Sequence, residues 1–554
     1  MFSAAYRQQT LDLLNRYSFD VVVIGGGITG AGIALDAVSR GMSVALIEMQ
    51  DFAGGTSSRS TKLVHGGLRY LKQLQVGVVA EVGKERKIVY DNGVHITTPL
   101  GMLLPFYKGG EFGPYSTSLG LKMYDTLAGV RKSERRKMLS VKDTLQKEPL
   151  LKKDGLLGGG HYVEYRTDDA RLTIEVLKKA VELGVVAINY TKVESFIYDE
   201  KNTICGVYAV DQVDQTKVAI EAKAVINAAG PWVNEILEYD VKGQSKKDLL
   251  LTKGVHIVID ESVFPLHQSI YFDTPDGRMV FAIPREGKTY VGTTDTVYKD
   301  NPVHPTATNE DIAYILDAVH FMFPDVDVSF KDIESSWAGV RPLIYEQGKD
   351  PSEISRKDEI WTSKSGLLSI AGGKLTGYRK MAENIVDELV KRKEFKHFGQ
   401  CVTKALSLSG ATLLNEENFE AYIAYKADEG VRHGLTKQIG EKLTAKYGSN
   451  IDDIFKILRV TKDDFSNRGL PVDLYLQVMY AMQYEMAYAP SDVFVRRTGR
   501  LYFDVNSVLK YKGQVISLMA DFLGYSEQEK TLRTKELEQL IEDATHFAKE
   551  GLYE

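Results

Sequence analysis

Residues 19–48 read Phe19-Asp20-Val21-Val22-Val23-Ile24-Gly25-Gly26-Gly27-Ile28-Thr29-Gly30-Ala31-Gly32-Ile33-Ala34-Leu35-Asp36-Ala37-Val38-Ser39-Arg40-Gly41-Met42-Ser43-Val44-Ala45-Leu46-Ile47-Glu48. The apolar run 19–24 is a strand, 25–30 a tight glycine turn, Ala31 to about Ser39 a helix, and 43–47 a second strand ending on Glu48. Gly25, Gly27 and Gly30 fit G-x-G-x-x-G. The first glycine makes the turn, the second lets backbone approach a pyrophosphate, and the third lets helix and sheet pack closely. Gly26, Ile28 and Thr29 complete the cradle, where unpaired helix N–H groups face the phosphates. Glu48 falls where a ribose-binding acid is expected, roughly 20 residues on. An acid there suits a free 2′-hydroxyl. Asp20, Asp36 and Arg40 bracket a run shorter than the ~18–20 residues a bilayer needs, which excludes a spanning helix.

At 554 residues, two or three domains are expected. Hydrophobic residues at 44% and charged residues at 26% describe a globular protein, and a net charge of −6 gives no support for a nucleic-acid partner. Cys205 and Cys401 stand far apart with no His/Cys cluster, so neither a disulfide framework nor a metal site is expected, and the compartment is reducing. Residues 1–18 lack the apolar core of a secretory signal. They form an amphipathic helix with Leu11, Leu14 and Tyr17 available for packing.

Residues 50–62 are rich in Gly, Ser and Thr. They suit either a surface loop or a hydroxyl-lined wall beside a phosphate, with Ser57, Ser58 and Lys62 as donors. His65-Gly66-Gly67-Leu68-Arg69-Tyr70 follows, a glycine pair that lets backbone run close to a flat ligand. Helix is expected over 78–89, a Gly/Pro/Tyr-rich connection over 100–115, and an amphipathic helix from about 170 to 184. Strands follow at 185–190, 192–198 and 203–211, the last two as a hairpin. Val225-Ile226-Asn227-Ala228-Ala229-Gly230-Pro231-Trp232 and Leu367-Leu368-Ser369-Ile370-Ala371-Gly372-Gly373-Lys374-Leu375-Thr376 repeat the strand-to-small-turn pattern. Three such turns, hundreds of residues apart, fit one extended ligand at the C-terminal edge of a parallel sheet. Between the last two turns lies a β-rich block with strands near 255–259, 268–272, 279–284 and 288–293. Arg69, His256, Arg341, Arg356 and Lys374 together make an anion pocket. From about Lys396 the pattern turns helical.

Gly25–Ala34, Thr56–Leu71, Trp337–Leu343 and Gly372–Arg379 resemble the FAD-dependent glycerol-3-phosphate dehydrogenases, the 56–71 stretch most specifically. Family members differ at Thr29 and Gly377 without loss of chemistry. The resemblance implies an α/β, Rossmann-type (glutathione-reductase-like) FAD-binding domain, a β-rich substrate domain and a C-terminal all-helical cap. Its boundaries would be a helix at 1–18, FAD-binding parts at about 19–90, 160–250 and 360–395, substrate parts at about 91–159 and 251–359, and a cap at 396–554. The implied FAD contacts are Gly25 to Gly30, Glu48, Thr56, Ser57, Ser58, Ser60, Thr61, Lys62, His65, Gly66, Gly67, Val193, Ala228, Ala229, Gly230, Trp232, Gly339 and Gly372 to Thr376.

The implied reaction oxidises sn-glycerol 3-phosphate to dihydroxyacetone phosphate and passes the electrons to membrane quinone. His256 is implied as base and Arg341 for substrate positioning. Arg69 and Arg356 fall to the phosphate, Tyr70 to the substrate, and Lys374 to the flavin or the developing alkoxide. Arginine suits phosphate because its planar fork engages two oxygens. The resemblance also implies a cytoplasmic protein held peripherally at the membrane, through the N-terminal helix or the cap, and leaves a homodimer open. Three alternatives stand beside it. One is an oxidase that reduces oxygen to hydrogen peroxide, against which the compact 348–359 link argues. The others are an amino-acid or amine oxidase on the same scaffold and a non-enzymatic flavin module.

Overall fold

A computed structural model describes residues 2–65, 76–110, 113, 117–118, 120–122, 134–243, 249–345, 358–462 and 464–547, with the side chains of 76–79 left aside. Two sheets organise them. In the first, the strand Phe19–Ile24 lies between Val44–Ile47 and Lys217–Asn227. Val186–Ile188 extends one side and Leu368–Ala371 the other, all parallel, and Glu359–Thr362 adds an antiparallel edge. Val21, Val22 and Val23 are wholly buried, as a central parallel strand covered on both faces must be. The expected hairpin is present as Thr191–Tyr198 and Ile204–Asp211, paired onto the first half of Lys217–Asn227. The helix Ile28–Ser39 packs against Asp169–Glu182 and Tyr378–Val390. Being enclosed this way, it carries almost no polar face.

The second sheet is mostly antiparallel. Leu249–Asp260, Lys288–Gly292, Met279–Arg285, Ser269–Asp273, Thr97–Tyr107 and Leu156–Thr167 run across it, and Ile333–Ile344 lies along Leu249–Asp260. Four of these match the strands expected between 255 and 293. The stretch expected as a connection from 100 to 115 is instead the strand Thr97–Tyr107 up to its turn. Proline reads against a strand because it cannot donate to a ladder; Pro105 lies in this stretch and Pro99 just before it. Here both lie outside Met102–Leu103, the short stretch bonded on its second side to Ser269–Asp273, so their missing N–H groups can face the unpaired side.

The C-terminal part is helical as expected: Phe419–Arg432, Lys437–Tyr447, Ile451–Thr461, Val472–Tyr484 and Glu527–Thr545. A further long helix, Val505–Leu523, buries Val505, Val508, Val515, Ile516 and Met519 and leaves Lys510 and Gln514 on its other side. These helices share a core with the second sheet, where Tyr290 and Trp337 meet Phe503.

At the other end, the helix Arg7–Arg16 lies on the first sheet with Leu11 and Leu14 buried. Tyr17 corrects the expectation: it stands at the helix end and remains 54% exposed. Leu14→Ala should therefore cost about 2–5 kcal/mol in urea unfolding, whereas Tyr17→Ala should stay within about 0.5 kcal/mol. Equal effects would mean that the helix is not docked in solution.

Candidate functional site

The strands Phe19–Ile24, Lys217–Asn227 and Leu368–Ala371 are parallel, so their C-terminal ends reach the same edge. There the three small-residue turns open onto one cavity of about 630 Å³. Gly25, Gly27, Ile28 and Thr29 line it from the first turn. Ala228, Ala229, Gly230 and Trp232 come from the second, and Gly372, Gly373, Lys374, Leu375 and Thr376 from the third. Two glycines make this close assembly sterically possible. Gly25 has φ +111°, and a Cβ there would lie 2.5 Å from the Ala228 carbonyl oxygen. A Cβ on Gly30 would lie 1.8 Å from the Gly25 carbonyl oxygen. Gly26 and Gly30 thus stand one layer behind the wall and shape it. This cradle fits a dinucleotide's pyrophosphate.

Glu48 is held by the turn it faces. Its Oε2 accepts from the Gly26 N–H at 2.6 Å and its Oε1 from the Gln50 N–H at 2.8 Å. Burial pushes the carboxyl pKa above its ordinary value, and these two bonds offset only part of the rise. The hydroxyl-rich stretch contributes Thr56, Ser57, Ser60 and Thr61 to the cavity. Ser57 Oγ accepts from the Ile28 N–H at 2.9 Å, and Thr56 Oγ1 donates to the Val340 carbonyl at 2.5 Å. Two expected donors are corrected. Ser58 is buried behind the wall. Lys62 turns inward, its ammonium donating to Asp169 Oδ1 at 2.6 Å and to the Ser58 carbonyl at 3.0 Å. A buried ammonium requires a carboxylate, and Asp169 provides it. His65 reaches the wall, where its backbone exchanges two 3.1 Å bonds with Thr376 Oγ1. Val193 and Gly339 also line the cavity. Gly66, Gly67, Arg69, Tyr70, Arg356 and most of the 348–359 link lie outside the described residues.

Arg341 enters the cavity from the strand Ile333–Ile344, and Lys374 enters from the third turn. Arg341 is oriented by Asp295, 3.2 Å from Nη1, and by Thr293, whose Oγ1 accepts from Nη2 at 3.1 Å. Its path is open because residue 254 is glycine: a Cβ there would sit 2.3 Å from Arg341 Nη2. Thr293 and Asp295 were not foreseen. The Thr-Thr-Asp run at the end of a strand was the available signal.

His256 is also corrected. Its ring does not line the cavity but lies fully buried, stacked on Trp337 at 4.8 Å, with Nε2 3.0 Å from Thr61 Oγ1. Burial holds its pKa well below the ordinary range, with the nearby Arg341 and Lys62 cations adding to the shift. Its link to the cavity runs through Thr61. Beyond it, Tyr271 stacks on Phe281 at 4.2 Å, and His65 meets Phe281 edge-on at 6.0 Å.

The turn geometry makes a direct prediction. Gly30→Ala should yield a folded protein that is colourless or loses flavin on gel filtration, measured by absorbance near 450 nm. A yellow variant with unchanged retention would contradict the close approach of Gly30 to Gly25.

Comparison with known proteins places this geometry. The FAD dependent oxidoreductase family pattern matches residues 20–379, and that of the C-terminal domain of alpha-glycerophosphate oxidase matches residues 401–530. Aerobic glycerol-3-phosphate dehydrogenase of Staphylococcus aureus is 58% identical over 537 residues, covering 96% of each chain. The crystal structure of glycerol-3-phosphate dehydrogenase from Bacillus halodurans, complexed with FAD, superposes with a TM-score of 0.86 at 45% identity, covering 99% of this chain and 100% of that one. L-alpha-glycerophosphate oxidase of Mycoplasma pneumoniae shares the fold at 17% identity and a TM-score of 0.56, over 70% of this chain and 97% of its own. With its glycine cradle and these relatives, the chain belongs to the FAD-dependent oxidoreductases, in the family of the aerobic glycerol-3-phosphate dehydrogenases.

Proposed function

We propose that the protein oxidises sn-glycerol 3-phosphate to dihydroxyacetone phosphate and that its electrons pass to membrane quinone. The observation that carries the reading is the meeting of Arg341 and Lys374 in the cavity walled by the three FAD-cradle turns. Bound FAD supplies the hydride acceptor. The chain's own residues hold the substrate, orient it and move its hydroxyl proton. In this reading Arg341, steadied by Asp295 and Thr293, positions the substrate. Arg69 and Arg356 hold the phosphate, Tyr70 adds a contact, and Lys374 faces the flavin or the developing alkoxide. His256 acts as base at one remove: the Thr61 hydroxyl takes the substrate's proton as it gives its own to His256 Nε2.

Among the described residues no helix is long and apolar enough to cross a membrane. A quinone therefore calls for peripheral contact at the cytoplasmic face. With Leu11 and Leu14 turned inward, the exposed Tyr6, Leu13 and Tyr17 are the apolar groups of the N-terminal segment left to make it. The division at residues 18 and 395 and a homodimer belong to this reading as well.

Anaerobic titration with glycerol 3-phosphate should bleach the flavin band, with fast reoxidation by a quinone analogue and slow reoxidation by air. Fast air reoxidation with peroxide release would make the enzyme an oxidase, and no bleaching would remove the substrate assignment. Among variants, His256→Ala and Thr61→Val should each lower kcat by about 10²–10⁴-fold, while Arg356→Ala should chiefly raise KM. Because the pKa of His256 is lowered, the imidazole stays neutral at neutral pH. The acid limb of kcat/KM should fall well below about pH 6.5. An acid limb above that value, absent in His256→Ala, would overturn the assignment.

A further inference from the structure

Asp51 stands three residues beyond Glu48, in the loop joining the ribose acid to the hydroxyl wall. Its carboxylate has no solvent exposure. It accepts from Asn189 Nδ2 at 2.9 Å, from Arg496 Nε at 2.5 Å, and from Arg497 Nη1 and Nη2 at 2.8 and 2.9 Å. The Arg497 fork meets both carboxylate oxygens, a pairing that fixes orientation as well as distance.

Both arginines lie in the π-helical turn Asp492–Arg497, in the C-terminal helical part of the chain. That turn is anchored on its other side. Arg496 Nη2 donates to Asp492 Oδ1 at 2.6 Å, and Tyr190 Oη donates to the same oxygen at 2.5 Å. Arg497 Nη2 also donates to the Glu485 carbonyl at 2.9 Å, and the Glu485 carboxylate pairs with Arg171. Burial alone would raise the pKa of Asp51, but the two guanidinium groups outweigh it and hold the carboxyl below its ordinary range.

The loop needs such an outside hold. Ala53, wholly buried, has φ +62°, a left-handed conformation that persists in a non-glycine residue only when its surroundings impose it. The same loop is stitched to the cofactor turn by the Ala53 N–H to the Gly26 carbonyl at 3.0 Å, and Met49 and Gly55 line the cavity. The first glycine turn and the C-terminal helices are thus two sides of one clamp on residues 48–55.

We propose that Asp51, Arg496 and Arg497 form a latch through which the C-terminal helices set the geometry of the ribose-binding loop. FAD affinity then depends on side chains that never touch FAD. They are positioning residues, acting through the placement of Glu48 and the backbone of 49–55. This inference rests on FAD as the cofactor and is independent of the substrate and the electron acceptor.

The test uses full-length holoenzyme carrying Asp51→Asn, Arg496→Lys or Arg497→Lys. FAD dissociation is read from the recovery of free-flavin fluorescence well below Tm, alongside the Tm gain on adding FAD to apoprotein and the flavin midpoint potential. Ser335→Ala is the comparison. Its hydroxyl donates to the Tyr502 carbonyl at 2.7 Å, joining the second sheet to the same helices outside the loop. The latch predicts a Kd for FAD raised tenfold or more in the Asp51 and arginine variants, a smaller Tm gain with FAD, and an unchanged potential. Ser335→Ala should lower Tm and leave Kd alone. If one arginine variant does not fold, the other and Asp51→Asn still decide. Variants that lose Tm but keep wild-type FAD affinity, or that shift the potential, would overturn the proposal.

Discussion

A dinucleotide's pyrophosphate can be held by bare backbone only if a strand end and the following helix come closer than side chains allow. At Gly25 and Gly30 the space that a single methyl group would need is already taken by carbonyl oxygens. Everything around the cavity presupposes that closeness. It lets the helix Ile28–Ser39 bring its first N–H groups to the sheet edge. It also brings Ala228 against the first turn, so that strands separated by hundreds of residues end on the same cavity. Arg341 and Lys374 are useful because they reach this cavity from two different elements, one from each sheet.

The cradle was legible in the sequence because its chemistry is local. Glycine spacing, small residues at strand ends and an acid about 20 residues on each state a backbone requirement without reference to distant partners. The β-block and most of the C-terminal helices followed from apolar periodicity. Features decided by tertiary neighbours were not legible. Nothing near Lys62 announces Asp169, which draws its ammonium away from the cavity. Nothing beside His256 shows that Trp337 will cover one ring face and Thr61 will stand before its nitrogen. Pro99 and Pro105 read as strand breakers because only the sheet reveals where a donor is not required.

Buried charge runs through the molecule in matched sets. Asp51 with Arg496 and Arg497, Glu485 and Glu175 with Arg171 and Lys178, and Glu85 and Glu383 with Arg379 each lie largely out of water with opposite charge at hand. Such sets contribute little net stability, because desolvation offsets the Coulombic gain. They discriminate instead against misplacement, since a shifted element leaves a buried charge unpaired. This suits a fold whose cofactor loop, sheets and helical part have to meet in one register.

The segment from Ser3 into the helix Arg7–Arg16 carries a temporal consequence. Ser3 Oγ donates to the Met482 carbonyl at 3.2 Å across 479 residues, and Arg7 bonds Asn189 and Asp211 beside the Asp51 cluster. On a ribosome adding about 5–20 residues per second, the amino terminus waits on the order of a minute before the partner of Ser3 exists. During that interval Leu11 and Leu14 can settle on the nascent first sheet, but the seam with the carboxy-terminal helices stays open. Birth order and assembly order therefore differ: a segment made early completes its contacts late.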